Sequence, residues 1–278
     1  MVLKVVAFMS LSLFFGFIAS CATTSTTKSC DPQMITYGPS DFQVNVNYYQ
    51  SSATVAKSLI ILPPTGGPNY IDRSYAKKFC AEGYDVYLVN NWTGDSEDKT
   101  DLAIHQRLYT RGQKAISIVV SQIKSSFIGL LGTSVGALHS AVAANTQEKI
   151  NAVFLIVGGA PITQIVVTSD QKAMRDVRDV RNKRYGFNSD QEYLMALQKV
   201  FLLEPMKLGD LYKSKDIGMV LAENDTTVPY SSQLDLQMFF NPKATYTLPS
   251  SHFWAIVKTW FFHSKEVFDF FENSAKRM

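Results

Sequence analysis

Charge is sparse in this chain: Asp, Glu, Lys and Arg make up 18% of its 278 residues, and the formal net charge is only +3. So small an imbalance leaves no basic footprint for the phosphates of a nucleic acid, and no nucleic-acid partner is expected. The charge excess and low complexity that mark disorder are missing as well, and no internal repeat is found. Three cysteines are too few for a disulfide-built scaffold, and four histidines limit where a proton can be exchanged near neutral pH. Apolar residues, by contrast, make up 46%. Length and composition together describe one domain of roughly 240 residues behind a leader.

Residues 1–20 read as that leader. Lys4 supplies a positive start, and Val5 to Ile18 form a 14-residue apolar run, short for a bilayer span and suited to a signal-peptide core. The run ends in Ile18-Ala19-Ser20-Cys21, which resembles the bacterial lipobox, where the cysteine thiol is acylated and the chain is cut just before it. An ordinary secretory signal with an incidental cysteine is the alternative. Residues 21–32 form a polar Ser/Thr tether without periodicity, and 33–278 the folded domain. The resemblance implies a membrane attachment through lipid on Cys21. Ala22, where inner-membrane lipoproteins carry Asp, implies the outer membrane of a bacterial envelope. Cys30 and Cys80 could pair in that oxidising compartment, but two cysteines do not specify a bridge. A buried, inert Cys80 is the expectation.

From Ile35 the rhythm of the chain changes twice. "MITYG" and "FQVNVNYY" have strand character, the second alternating as a half-buried antiparallel hairpin does. Then "SLIILP", "YDVYLVN", "SFIGLLG", "NAVFLIVG" and "DIGMVLA" are continuous apolar runs, as expected of strands buried on both faces. Helical stretches separate them: one from Asp72, an N-cap candidate, to Gly83, one over Thr100 to Ser126, and one over "SVGALHSAVAANTQ". A last strand, "ATYTLP", and an aromatic helix, "FWAIVKTWFFHSKEVFDFF", close the chain. Strand and helix in alternation give an α/β fold, a mostly parallel sheet with helices on both faces. Between 161 and 215 the alternation lapses, and that stretch reads as a helical cap inserted between two strands. Within it Arg175, Arg178, Arg181 and Arg184 recur every third residue and interleave with Asp176 and Asp179. Such a pattern predicts a solvated helix paired with itself, Arg175 to Asp179 and Asp179 to Lys183. Docking against anionic lipid or substrate is the alternative.

The chemistry gathers at Gly132-Thr133-Ser134-Val135-Gly136, a G-x-S-x-G match set between an apolar strand and a helix. That setting is what a nucleophile elbow needs, because a serine in a strained, tight turn tolerates only small neighbours. Serine requires a base, and the base an orienting group. Of the histidines, His105 and His263 lie inside helices, and His139 sits five residues past Ser134, off its side of the helix. His252, in "LPSSHFW" between the last strand and last helix, occupies the kind of loop where open α/β sheets place their sites. Asp225, in a polar turn after "MVLA", is the orienting acid, with Glu223 and Asp216 as competitors. One oxyanion donor is the amide of Val135. A second belongs to the loop after the first buried strand, "LPPTGGPNY", where Pro63 and Pro64 have no N–H and Thr65, Gly66 and Gly67 remain.

These residues, the Gly132 to Gly136 elbow, the "END" turn followed by "TTVP", and "SSH", resemble the α/β-hydrolase superfamily of serine esterases and lipases. The resemblance implies an eight-stranded, mostly parallel sheet, a Ser134, Asp225, His252 triad, oxyanion donors at Thr65, Gly66 and Val135, a small-molecule ester as substrate, and neither cofactor nor metal. The chain departs from the pattern at Pro63-Pro64, where many relatives have His-Gly, and at Ser250-Ser251, where relatives often have glycine. Leu, Met, Phe and Tyr in the cap suggest an apolar acyl pocket, hence short or medium acyl chains. Thioester or peptide cleavage, transfer to a nucleophile other than water, and a non-catalytic envelope protein that kept the fold are the other readings.

Overall fold

The computed structural model describes residues 30–53, 57–92 and 98–278. The leader and Cys21 lie outside the described residues. The apolar runs form β3 (Lys57–Leu62), β4 (Tyr84–Trp92), β5 (Phe127–Thr133), β6 (Ala152–Ile156) and β7 (Asp216–Ala222), whose central residues are buried on both faces. The alternating segments form β1 (Gln33–Tyr37) and β2 (Val44–Tyr49), and the chain's last strand is β8 (Ala244–Leu248). They assemble into one eight-stranded sheet in the order β1-β2-β4-β3-β5-β6-β7-β8. The pairs β1/β2 and β2/β4 are antiparallel; every other pair is parallel. From β3 the chain winds outward to β4 on one side, and from β5 to β6, β7 and β8 on the other. The carboxyl ends of β3 and β5, which sit side by side, therefore flank the switch point where sheets of this type open a crevice.

Helices cover both faces. α2 (Ile104–Gln122), α3 (Val135–Thr146) and α7 (Tyr230–Phe240) pack residues such as Val119, Ala137, Ala141, Leu236 and Phe240 on one face. α1 (Tyr70–Ala81) and α8 (His252–Ala275) pack Tyr75, Phe79, Val267 and Phe271 on the other. Each such side chain removed from water contributes roughly 1.5–3 kcal/mol, so two filled layers hold the sheet rigid at its edge. α1 starts two residues before Asp72, the predicted N-cap. Its N-cap is Asn69, and Asp72 returns a bond to the Asn69 amide as the other half of a capping box. α2 starts four residues later than predicted because the Asp98 carboxylate accepts from the Thr100 amide, closing a turn that competes with the helix.

The cap occupies the predicted place between β6 and β7, as α4 (Ile162–Thr168), α5 (Lys172–Tyr185), α6 (Asp190–Val200) and two short 3-10 turns. Its N-terminal helix is pinned by buried Glu204, which accepts from the Ile162 amide at 2.7 Å, the Thr163 amide at 2.8 Å and the Thr163 hydroxyl at 2.7 Å. A carboxylate at this point satisfies orphan donors and complements the positive helix end.

Helix α5 is largely exposed, as expected, but its arginines do not pair along the helix and one of them is buried. Arg181 is wholly buried and donates to the carbonyls of Lys99 at 2.8 Å and Asp101 at 3.1 Å, to the Tyr193 hydroxyl at 2.6 Å and to His105 Nε2 at 3.0 Å. Arg175 and Arg178 reach the carbonyls of Asp170 and Val167. Asp176 pairs with Lys172, and Arg184 reaches across to Asp98. For the arginines, acceptors outside α5 take the place of partners along it, because a guanidinium's five forked donors fit a cluster of carbonyls that no lysine could satisfy. The bonds of Arg181 tie the cap to the segment leading into α2.

The expectation for Cys80 is also overturned. It is buried, yet it is bridged to Cys30 with a Cα–Cα distance of 6.0 Å. Closing a loop of 50 residues removes denatured-state freedom worth roughly 4 kcal/mol in the chain-entropy account.

Two histidines, His139 buried and His105 half-buried, are held without charge. Since Arg181 can only donate, His105 Nε2 must accept, and burial followed by the neighbouring Arg181 pushes its pKa down to about 3. Burial alone pushes His139 down to about 4. Both are depressed below the unfolded value near 6.5, so the unfolded chain takes up two protons that the folded chain refuses. Asp72 works the other way, raised by burial to about 6. Between pH 6 and 4 unfolding thus takes up about one net proton, and stability should fall by roughly 1.4 kcal/mol per pH unit as acid is added. Urea unfolding at pH 6, 5 and 4 checks this; a free energy constant or rising toward acid would contradict it.

Candidate active site

Every expected site segment leaves the sheet at one edge. Leu62 of β3 pairs with Gly132 of β5, and Ala222 of β7 pairs with Leu248 of β8, so the loops after these strands emerge together. Between β5 and α3 the turn is a single residue, Ser134, at φ 55° and ψ −119°. A left-handed φ on a non-glycine residue costs on the order of 1–3 kcal/mol and persists only where its surroundings over-determine it. Here they do: the Ser134 amide donates to Ile156 at 2.9 Å, and its carbonyl accepts from Leu138 at 3.0 Å. Glycine on either side is obligatory. A Cβ on Gly136 would lie 2.1 Å from the Leu62 carbonyl oxygen, and one on Gly132 would lie 2.5 Å from the Gly136 oxygen. Compression of this kind pushes the serine side chain out at the rim.

Asp225 and His252 come from neighbouring segments that are zipped together past the end of the β7/β8 ladder. Glu223 donates its amide to Leu248 at 3.0 Å and Asn224 donates to Ser250 at 3.1 Å. His252 itself is the first residue of α8 rather than a loop residue. Its Nδ1–H donates to Asp225 Oδ2 at 2.6 Å, and its Nε2 accepts from Ser134 Oγ at 2.8 Å. The tautomer follows from the aspartate, which as a carboxylate can only accept. Asp225 has an almost fully buried side chain held on every side: Oδ1 accepts from the amides of Thr227 at 2.9 Å and Val228 at 3.0 Å, and Oδ2 accepts from Gln233 Nε2 at 2.9 Å. The structure thus brings Ser134, Asp225 and His252 into one hydrogen-bonded chain.

The competing acids are elsewhere. Glu223 is exposed, and Asp216 sits at the opposite end of β7 with Lys243 and Arg277. Of the other histidines, His105 holds Arg181 and His263 lies 3.6 Å from Glu266. His139, off the serine's side as expected, nevertheless lines the site cavity, stacked on Tyr109 with ring centroids 4.3 Å apart.

Gln233 is the residue that sequence reasoning missed. It is fully buried on α7, donates to Asp225 and to the Val228 carbonyl at 2.8 Å, and accepts from the Ala222 amide at 2.9 Å. It therefore fixes the turn carrying the acid at three points. Its only signal in the chain is a glutamine eight residues after Asp225, too common to single out.

Thr65, Gly66 and Val135 all line the cavity beside Ser134. Gly67 donates its amide to Pro64 at 3.2 Å, closing a turn with Gly66 at φ 97°, so Gly67 is spent and the free amides in that loop are those of Thr65 and Gly66. The Val135 amide belongs to the first turn of α3, where helix donors lack intrahelical partners. The cavity itself measures about 1160 Å³ and reaches from Trp92, Leu108, Tyr109 and Val166 under the cap to Phe253 and Phe261 on α8. Among the described residues no cluster of His, Cys, Asp and Glu is arranged to hold a metal ion.

No family model matches the chain, and no curated protein is similar to it in sequence. Solved structures are similar to it in fold. The Pf2001 esterase of Pyrococcus furiosus is 13% identical, with a TM-score of 0.63 over 88% of this chain and 93% of that one. Acetyl xylan esterase 1 from Thermoanaerobacterium sp. JW/SL YS485 is 14% identical, with a TM-score of 0.66 over 90% of this chain and 86% of that one. The alpha/beta hydrolase GrgF from Penicillium sp. sh18 is 14% identical, with a TM-score of 0.63 over 87% and 98%. At such identities the likeness is one of architecture: this chain has the α/β-hydrolase fold.

Proposed function

We propose that the protein is a serine hydrolase that cleaves carboxylic esters through an acyl-enzyme on Ser134. The observation that carries this reading is the continuous chain from Ser134 Oγ through His252 to Asp225, with bonds of 2.8 and 2.6 Å. His252 Nε2 takes the serine proton as Oγ attacks the acyl carbon, and Asp225 holds the imidazole in the required tautomer and stabilises the imidazolium. The oxyanion is received by the amide of Val135 together with that of Thr65 or Gly66, donors of a kind worth a few kcal/mol each. Collapse of the intermediate expels the alcohol, to which His252 returns the proton. Water, deprotonated by the same His252, then releases the acid and restores the serine. A large cavity lined mainly by apolar groups favours short to medium acyl chains. Thioesters would use the same groups.

The apolar leader and the Ile18-Ala19-Ser20-Cys21 sequence support a second part of the proposal, that the mature chain is held at the bacterial outer membrane by lipid on Cys21.

A fluorophosphonate probe should label the wild-type chain and leave Ser134→Ala unlabelled. A folded wild type that resists the probe would overturn the enzymatic reading. Asp225→Asn should lower kcat on a short-chain ester by about four orders of magnitude, while Glu223→Gln stays within about twofold of wild type; equal losses would reject the assignment of the acid. In cells fed a clickable palmitate, label should appear on the wild type and vanish in Cys21→Ser. Equal labelling of both would remove the lipid anchor.

A further inference from the structure

The helix that carries His252 also carries a set of aromatic side chains that stand exposed among the described residues. On α8, Phe253, Trp254, Phe261 and Phe262 are 63%, 57%, 67% and 72% exposed, and Tyr70, at the start of α1, is 73% exposed. At 100° per residue from Phe253, Val257, Phe261 and Trp254 fall within about 100° on α8, Lys265 and Lys258 follow at about 120° and 140°, and Phe262 closes the exposed side at about 180°. The buried residues Ala255, Ile256, Thr259 and Phe270 occupy the opposite side. Helices α1 and α8 run side by side in the same direction, with Tyr75 on Trp260, Lys78 donating to Ser264 and Phe79 on Phe268. Both therefore begin at the cavity mouth, where Tyr70, Phe253 and Phe261 form part of the lining. Exposed Arg73 and Lys77 on α1 add cations to the flank.

We propose that this α1/α8 face is a docking surface for a phospholipid bilayer, which sets the mouth of the cavity against the membrane so that ester substrates enter from the lipid. Three observations select the occupant. Aromatic rings flanked by lysine and arginine are the composition of an interfacial helix, whose rings settle at headgroup depth while the cations meet phosphates. The surface is continuous with the cavity, so an apolar substrate would pass from bilayer to Ser134 without crossing water. The disulfide sets the reach: it fixes Cys30 to the far end of α1, on this same side of the sheet. Eight residues separate Cys21 from Cys30, nine Cα steps and at most about 30 Å of extended chain, against about 15 Å along α1 from Cys80 to the mouth. A chain anchored at Cys21 thus has the length to lay this face on the membrane. This last argument rests on the lipid anchor proposed above; the first two do not.

The test places a spin label on Trp254→Cys, on Phe262→Cys and, as control, on Met238→Cys, which is 73% exposed on α7 across the sheet. Wild-type chain treated with the same label gives the background from its own thiols. On vesicles of phosphatidylethanolamine and phosphatidylglycerol, oxygen collisions should rise over those of a water-soluble nickel complex at 254 and 262, and stay water-like at 238. Water-like signals at 254 and 262, or equal immersion at all three positions, overturn the surface. Mass spectrometry of Cys21 in the same sample reports the anchor independently. Where the acyl chain is absent, the labels are read with vesicles in excess, and water-like signals there overturn the surface too. As a second measurement, Trp254→Ser with Phe262→Ser should keep the wild-type rate on a water-soluble ester and lose about tenfold on an ester embedded in vesicles, the equivalent of one decade in affinity. Equal rates on the embedded ester would overturn the proposal. A wild type inactive on both esters would count against the hydrolase, while the labels would still judge the surface.

Discussion

The strained turn at Ser134 is the constraint on which the rest of the site depends. A positive φ at a serine is tolerable only because β5 and α3 are both locked by packing, and because the flanking glycines let the Gly136 backbone sit directly against the end of β3. That compression does two things together. It turns the hydroxyl into the cavity at the rim of the sheet, and it brings the first amides of α3 next to the loop that follows β3. A relaxed turn would lose both, since a right-handed φ at this residue would redirect α3 and separate the two donor loops.

Opposite the elbow, a different device achieves the same rigidity. Asp225 and His252 stand on segments that continue the β7/β8 pairing as irregular backbone bonds, and Gln233 braces the turn from below. Buried polar groups of this sort are costly when half satisfied. Each acceptor position of Asp225 is filled, so the carboxylate has one orientation and the imidazole one tautomer. The cap is fastened by comparable means, a buried carboxylate at the start of α4 and a buried guanidinium on α5, both satisfied largely by backbone. Polar anchoring leaves the apolar inner wall of the cap free to line the cavity.

Much of this was legible in the chain. Continuous apolar runs separated by amphipathic stretches identified the parallel strands, since only strands covered on both faces lack alternation. Ser134, Asp225 and His252 could each be picked because they follow apolar runs in a polar, small-residue turn. Arg181 was misread for an equally physical reason: a helix periodicity reports which residues share a face, and says nothing of a cluster of carbonyls brought from eighty residues away. Cys80 was misread because pairing is a matter of distance, and sequence spacing carries none. Gln233 left no local mark, as its role exists only through the groups it bridges.

Local order was set by the amino-acid sequence alone: the alternation of elements, the tight elbow that only glycine neighbours permit, and the residue types able to attack, exchange a proton and orient. Those are properties of short stretches, governed by side-chain sterics and by burial over a few turns. Which acid meets the histidine, which cysteines join, what the cap arginine holds and which aromatic face stays uncovered were decided by the tertiary structure. These depend on contacts between segments far apart in the chain, and such contacts come into being only when the sheet order and the two helical layers bring those segments to one edge.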